Sequence, residues 1–321
     1  MEKPLVSIVI LNWNGDGLIQ ECLESLALLE YAPIETIVID NGSVDSSLPY
    51  LLSQKSIVLI ENKKNTGFAK GNNIGFSRAR GKYIAVLNND TTVDLKWLNN
   101  PIQFLEQDDR IGIISCRQMN FYNHDLIDVL YHTISKDLSF YPFGRGVRID
   151  DLPEALKPGF VLSASGGSAI YRKIMIDEIG GFDERLFAYG EDADLSMRAY
   201  INGWKCLYVP SAVVYHKGSA SFSKSPETIS FYGRRNKMLL RYKYFSWLLH
   251  FRYLPWIINE EKKTFFAMMK NKTSRSLYFS ILKSVFATFR ALSPERHMNI
   301  KKLNKKNFSI PMANRMLMLI H

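Results

Sequence analysis

Three carboxylates, Glu191, Asp192 and Asp194, fall within four positions, directly after Phe187-Ala188-Tyr189-Gly190 and at the start of an apolar-periodic segment. Acidic side chains suit a helix N-terminus, whose unpaired N–H groups and dipole favour negative charge. Capping accounts for one or two of them. A cluster beside Phe187 and Tyr189 points further, to a partly apolar cleft in which a carboxylate serves as a general base. Arg198 lies four residues after Asp194, the spacing of a helical ion pair, which gives Asp194 a structural partner.

Other polar groups sit where short apolar runs stop. Leu5–Leu11 ends at Asn12-Trp13-Asn14-Gly15, and Ile34–Asp40 runs into Asn41-Gly42-Ser43-Val44-Asp45. Asp40 at a strand end can accept a hydrogen bond from a base or ribose, or it can be a turn residue; Asp45 reads as the N-cap of the next helix. A carboxylate at Asp40 would accept from the N3–H of uracil or thymine, which cytosine lacks. Tyr83–Leu87 ends at Asn88-Asn89-Asp90. One carboxylate among amides suits a hard divalent cation, Mn²⁺ or Mg²⁺, that keeps phosphate oxygens and waters, although it is also ordinary turn composition. The glycines at 67, 71 and 75 follow neither the dinucleotide nor the Walker spacing. Gly71 and Gly75 read as sites of close helix–strand packing, and Lys70 as a solvated lysine.

These groups need elements to hold them. Strand-like runs at Leu5–Leu11, Ile34–Asp40, Ile57–Glu61, Tyr83–Leu87 and Ile111–Cys116 alternate with helical patterns at about 17–29, 45–53, 68–79 and 95–105. That alternation predicts an α/β fold around a buried parallel sheet, with ligands beyond the carboxyl ends of its strands. Residues 121–160 read as an irregular insertion. Leu162–Tyr171 reads as a strand entered from a Ser-Gly-Gly turn, whose Gly166 and Gly167 either line a pocket or make a tight entry. A helix over 191–202, a strand at Lys205–Val209 and helices from 227 onward follow.

The bulk numbers restrict the function classes. At 46% hydrophobic and 22% charged, with 321 residues, the chain can build one large or two smaller cores. Cys22, Cys116 and Cys206 are scattered, so neither a disulfide framework nor a structural zinc site is expected, in keeping with a reducing, cytoplasmic compartment. No uncharged stretch approaches the roughly 20 residues that span a bilayer. Residues 224–321 hold 20 Lys/Arg against 4 Asp/Glu, a net +16, so residues 1–223 are net −6 within a total of +10. The basic, aromatic C-terminal segment predicts either contact with an anionic membrane surface or a helical subdomain with a solvated basic face. No nucleic-acid motif accompanies it.

Taken together, these segments resemble the family-2 glycosyltransferases of the GT-A fold, in particular bacterial rhamnosyltransferase-like members. The matching residues are Val6–Asn14, Asp40–Asp45, Asn65–Ala69, Leu87–Asp90, Gly181–Glu184 with Gly190–Leu195, and Val214-Tyr215-His216, in the family's order over residues 5–220. The resemblance implies a GT-A, Rossmann-like nucleotide-diphospho-sugar transferase domain over 1–226, with a nucleotide-binding half at 1–120 and an acceptor half at 121–226, followed by a helical basic extension at 227–321. It implies a sugar nucleotide bound near Asn12, Asp40, Ser43 and Asn88, and a divalent cation at Asp90 and His216. Asp192 falls at the family's catalytic base, with Glu191, Gly166 and Gly167 beside the donor or acceptor. Asn88 departs from the family's common Asp-x-Asp by replacing its first carboxylate. The expected reaction is inverting transfer from dTDP-L-rhamnose, or from a UDP-sugar, to a glycan or lipid-linked acceptor at the inner membrane face, in surface polysaccharide synthesis. A nucleotidyltransferase, or a degenerate sugar-nucleotide-binding or membrane scaffold protein, is the alternative.

Overall fold

Side-chain alternation along the first strand sets the layering. In β1 (Val6–Asn12), Val6, Ile8 and Ile10 enter the core on one face of the sheet and Val9 enters the core on the other, because successive strand residues point to opposite sides. A strand covered on both faces reads as one continuous apolar run. The structure, a computed structural model, describes residues 3–218, 226–306 and 308. These group into two compact units.

The first unit takes residues 3–132, 142–187 and 191–218. It begins as the sequence predicts, with β1, α1 (Leu18–Ala27), β2 (Ile34–Asp40), α2 (Ser47–Ser53), β3 (Ile57–Glu61), α3 (Phe68–Arg78) and β4 (Tyr83–Asn88) alternating. Strands β3, β2, β1 and β4 lie side by side and parallel. Helix α3 approaches β1 so closely that a Cβ on Gly71 or Gly75 would come within 2.3 Å of Leu11 or Val9, which is the packing reason for both glycines.

Beyond β4 the sheet departs from the parallel expectation. After β5 (Thr91–Val93) and α4 (Asn99–Gln107) comes β6 (Ile111–Asn120), which is not the neighbour of β4. The predicted irregular insertion at 121–160 contains β7 (Ile127–Val129), β8 (Tyr131–Ile134), β9 (Phe140–Phe143) and β10 (Gly159–Val161), with two short 3₁₀ turns before β10. Strands of three or four residues are too short to show a period in sequence. The predicted strand at 162–171 begins only at Ser168: β11 (Ser168–Arg172) lies antiparallel between β4 and β6, and α5 (Lys173–Ile179) follows it. After α6 (Glu191–Ile201), β12 (Lys205–His216) runs well past the predicted end at Val209. A register shift between Val209 and Val213 lets it continue along β6. The final order is β10-β12-β6-β11-β4-β1-β2-β3, with β5 on β12 and β7 on β6.

The second unit takes residues 133–141, 188–190, 226–306 and 308. Its body is α7 (Pro226–Tyr244), α8 (Trp247–Arg252), α9 (Leu254–Met268) and α10 (Lys272–Lys305). Asn271 caps α10 by accepting from the Ser274 N–H. Asp137 pairs with Lys237 at 2.7 Å and Arg241 at 3.4 Å; burial raises the Asp137 carboxyl, but Lys237 and hydrogen bonds from Ser135 and Ser139 hold it at about 2. Asn236 donates to the carbonyls of Ala188 and Tyr189, both at 2.8 Å, and so anchors Tyr189 in its left-handed backbone (φ 71°). No helix among the described residues is long and apolar enough to cross a membrane. Residues 219–225, 307 and 309–321, which belong to the two predicted domains, lie outside the described residues.

Candidate active site

At the carboxyl ends of β1 and β2, a closed amide–carboxylate network forms. Asn12 Nδ2 donates toward Asp40 Oδ1 (3.0 Å), Ser43 Oγ (3.2 Å) and Ser47 Oγ (2.9 Å), while its Oδ1 accepts from Asn89 Nδ2 (2.9 Å). Asp40 Oδ2 accepts from the N–H groups of Gly42 and Ser43 at 3.2 and 2.9 Å. Asp40 is 1% exposed and shapes the 41–43 turn, which is one of the two roles its sequence position offered. Asp45 accepts from the Ser47 N–H at 3.1 Å, while the capping position itself is Ser46. Ser43 Oγ, which also accepts from the Asn14 N–H at 2.9 Å, carries the turn's polar edge.

The β4 end is built by strand pairing. β5 runs antiparallel to the end of β12, with Thr91 opposite His216. His216 Nε2 therefore lies 3.2 Å from Asp90 Oδ1. On the other side β7 pairs with β6 and delivers Asp128, whose Oδ2 is 2.8 Å from His216 Nδ1. Burial depresses the His216 ring, but hydrogen bonding and charge from Asp128 and Asp90 more than reverse this and raise it to about 10. Burial likewise raises Asp128, and His216 brings it below the ordinary carboxylate range.

Among the described residues, no group of three or more His, Cys, Asp or Glu is arranged to hold a metal ion. The pair nevertheless fits a cation that shares its shell with a diphosphate. His216 Nε2 is buried and faces Asp90 Oδ1 at 3.2 Å, so a cation that displaced its proton would meet both groups together. Asp128 fixes the opposite nitrogen, which orients the ring as an outer-shell carboxylate does for a ligating histidine. Asn88 cannot add a second carboxylate. Its backbone N–H donates to Gly167 O at 3.0 Å.

The turn before β11 connects this end to the acidic cluster. Gly166 N–H donates to Asp192 Oδ2 at 2.7 Å, and Asp192 Oδ1 accepts from the Ala193 N–H at 2.7 Å. A Cβ on Gly166 would sit 3.2 Å from the Asp192 Cβ, and one on Gly167 would sit 2.8 Å from Gln118 Oε1. A side chain at either position would press on Asp192 or Gln118 and shift it. Asp194 behaves as its spacing predicts: it is fully buried and accepts from Arg198 Nε at 2.8 Å. The same guanidinium donates to the carbonyls of Ile179 and Gly180 behind α5, at 2.8 and 3.1 Å. Glu191 is buried, its Oε2 has no hydrogen-bond partner among the described residues, and burial with the neighbouring Asp192 and Asp194 charges pushes its carboxyl well above the usual range. Burial thus favours the protonated form of Glu191.

Three residues here escaped the sequence reading. Asp128 lies in the stretch read as irregular. Gln118 is buried on β6 with its Nε2 unpartnered among the described residues. His132 on β8 donates its backbone N–H to Ser163 O at 2.8 Å, and its Nδ1 lies 3.8 Å from Asp192 Oδ2, too long for a hydrogen bond. None has a local signal; only pairing between distant strands assembles them.

The model of glycosyl transferase family 2 matches residues 7–180. That span includes Asn12, Asp40, Ser43, Asn88 and Asp90 and stops before Asp192 and His216. An uncharacterised glycosyltransferase of Haemophilus influenzae is 35% identical over 112 residues, covering 34% of this chain and 35% of that protein. An N-acetylglucosaminyl-diphospho-decaprenol L-rhamnosyltransferase of Mycobacterium tuberculosis is 44% identical over 62 residues, 19% of this chain and 20% of its own. The chain thus spans well under two thirds of the length of these relatives. Among solved structures, a mannosyltransferase from Pyrobaculum calidifontis in complex with GDP-Man and Mn²⁺ superposes with a TM-score of 0.55 at 15% identity, covering 96% of this chain and 88% of that one. At that identity the likeness is one of fold.

Proposed function

The chain belongs to glycosyl transferase family 2, and from that premise we propose that it transfers a sugar, with inversion, from a nucleoside-diphosphate donor to a hydroxyl of a glycan or lipid-linked acceptor. The observation that carries this reading is the Ser165–Gly167 turn. It takes the Asn88 N–H on one carbonyl and holds Asp192 with the Gly166 N–H, so the strand end of the Asn-Asn-Asp segment and the candidate base are tied to one rigid turn.

Asp192, anchored through Oδ2, takes the proton of the acceptor hydroxyl as its oxygen attacks the anomeric carbon. The bond from that carbon to the diphosphate oxygen breaks on the opposite face. One base without a second nucleophilic carboxylate gives inversion, and burial, which favours the protonated form of Glu191, works against Glu191 as a competing nucleophile. Asp90 and His216 would hold a divalent cation, Mn²⁺ or Mg²⁺, which when bound offsets the charge of the departing diphosphate. Ser43 and the Asn12-supported turn face the nucleoside, and Gly166 and Gly167 leave room for the sugar.

dTDP-L-rhamnose is the favoured donor and a UDP-sugar the second, supported by the rhamnosyltransferase-like run around Asn65–Asn73 and by the named activity of the mycobacterial relative. The basic extension brings the enzyme to an anionic membrane surface carrying the acceptor. Incubation with a panel of sugar nucleotides and Mn²⁺ or Mg²⁺ tests the reading. Release of a nucleoside diphosphate from a dTDP- or UDP-sugar is expected. Release of pyrophosphate would identify a nucleotidyltransferase, and binding without turnover of any donor would identify a scaffold.

A further inference from the structure

Helix α10 has two unlike sides. Its buried residues include Ile281, Val285, Leu292, Arg296, Asn299 and Leu303, and with them it packs along α7 and α9. Arg275, Phe279, Lys283, Phe286 and Arg290 are all exposed. At 3.6 residues per turn these five fall within an arc of about 80°, centred roughly 130° from the middle of the buried stripe. Phe279 and Phe286 are 60% and 67% exposed. Aromatic and cationic side chains therefore alternate along one solvent-facing line, and no acidic residue interrupts it.

Neither a core-facing helix nor a merely solvated one calls for this pattern. A buried face excludes the three cations, and a solvated face gains nothing from two fully presented phenylalanines. An anionic bilayer surface uses both: the rings enter the headgroup–acyl boundary while Arg275, Lys283 and Arg290 reach lipid phosphates on long stems. We propose that the Arg275–Arg290 stripe of α10 is the surface on which this protein docks, in the plane of the membrane, onto anionic phospholipid. The inference names the docking face for the membrane reading above, and it stands on the stripe's composition and geometry.

The test uses the full chain with extruded vesicles of phosphatidylcholine, with and without 30 mol% phosphatidylglycerol (about a third anionic, as in surface-charge titrations). Three proteins are compared: wild type, Arg275→Gln/Lys283→Gln/Arg290→Gln, and Phe279→Ser/Phe286→Ser. Because every substituted side chain is exposed, thermal melting and nucleotide binding should match wild type in both variants. Wild type is expected to sediment with the anionic vesicles and not with the neutral ones. Each lost cation lowers partitioning about five-fold at about 1 kcal/mol apiece, so the triple variant should fall by about a hundred-fold. The double Phe variant should lose binding that persists when salt screens the cations. Equal sedimentation of all three proteins overturns the proposal, as does wild-type binding to duplex or single-stranded nucleic acid that competes away the vesicles. Donor hydrolysis measured on the same samples reports the transferase reading separately. Vesicle binding without hydrolysis supports the stripe and removes the enzyme reading, and hydrolysis without vesicle binding removes the stripe.

Discussion

The two polar ends of the sheet are built in opposite ways. Around Asn12 and Asp40 the buried polar groups named are satisfied by other protein groups, with Asn12 alone linking Asp40, Ser43, Ser47 and Asn89. Around the acidic cluster, Glu191 Oε2, Ser196 Oγ, Tyr171 Oη and Gln118 Nε2 are buried without hydrogen-bond partners among the described residues. A folded protein pairs nearly all its buried polar groups, and each exception needs an explanation. The first region is finished by folding, a preformed platform. The second holds unmatched groups at a cost to stability, which is what a site completed by ligands requires.

Asp192→Asn should break the contrast hardest. It keeps an oxygen for the Gly166 N–H but removes the proton acceptor, so turnover should fall about 10²- to 10⁴-fold while nucleotide binding is kept. Steady-state transfer beside nucleotide titration measures it, and full activity would remove Asp192 from the role of base. Asp128→Asn is next. Loss of the carboxylate orienting His216 should weaken Mn²⁺ dependence about 10- to 100-fold, read as a shift of the metal activation curve with little change at saturating metal.

At the platform, Asn12→Ala should act on stability. It leaves buried Asp40 and Asn89 short of partners and should cost about 1–3 kcal/mol in denaturant unfolding. An unchanged midpoint would show that the network is not the organising feature. Glu191→Gln should be the smallest perturbation, because a carboxyl group and an amide are close in shape. Its signature is in pH. The folded-state pKa of Glu191 lies above its unfolded value of about 4.3, so its contribution is fully present below that value and is lost as pH rises toward the folded pKa. Unfolding from pH 4 to 8 should show this decline in wild type relative to the variant, and parallel curves would mean that Glu191 is ionised in the fold.

Much of the platform was legible in advance because its parts are local. β1 and β2 are continuous apolar runs that stop at polar residues, Gly71 and Gly75 sit at the helix spacing that faces β1, and the Asp194–Arg198 pair follows from one helical turn. Asp40 was legible only as two alternatives, since a strand-end carboxylate looks the same in sequence whether it faces a ligand or folds back on its own turn.

The residue types alone determined the α/β alternation, the acidic body with its basic extension, and the presence of carboxylates suited to proton transfer and cation binding. Tertiary structure decided which of them meet. Asp128 and His216 are 88 residues apart and come together only because β12 outruns its predicted end, pairing with β5 on one side and with β6 on the other, while β7 joins β6. Periodicity reports the environment of one segment at a time. Register between distant strands is set by hydrogen bonding and packing that no single segment contains, and here that register makes the site.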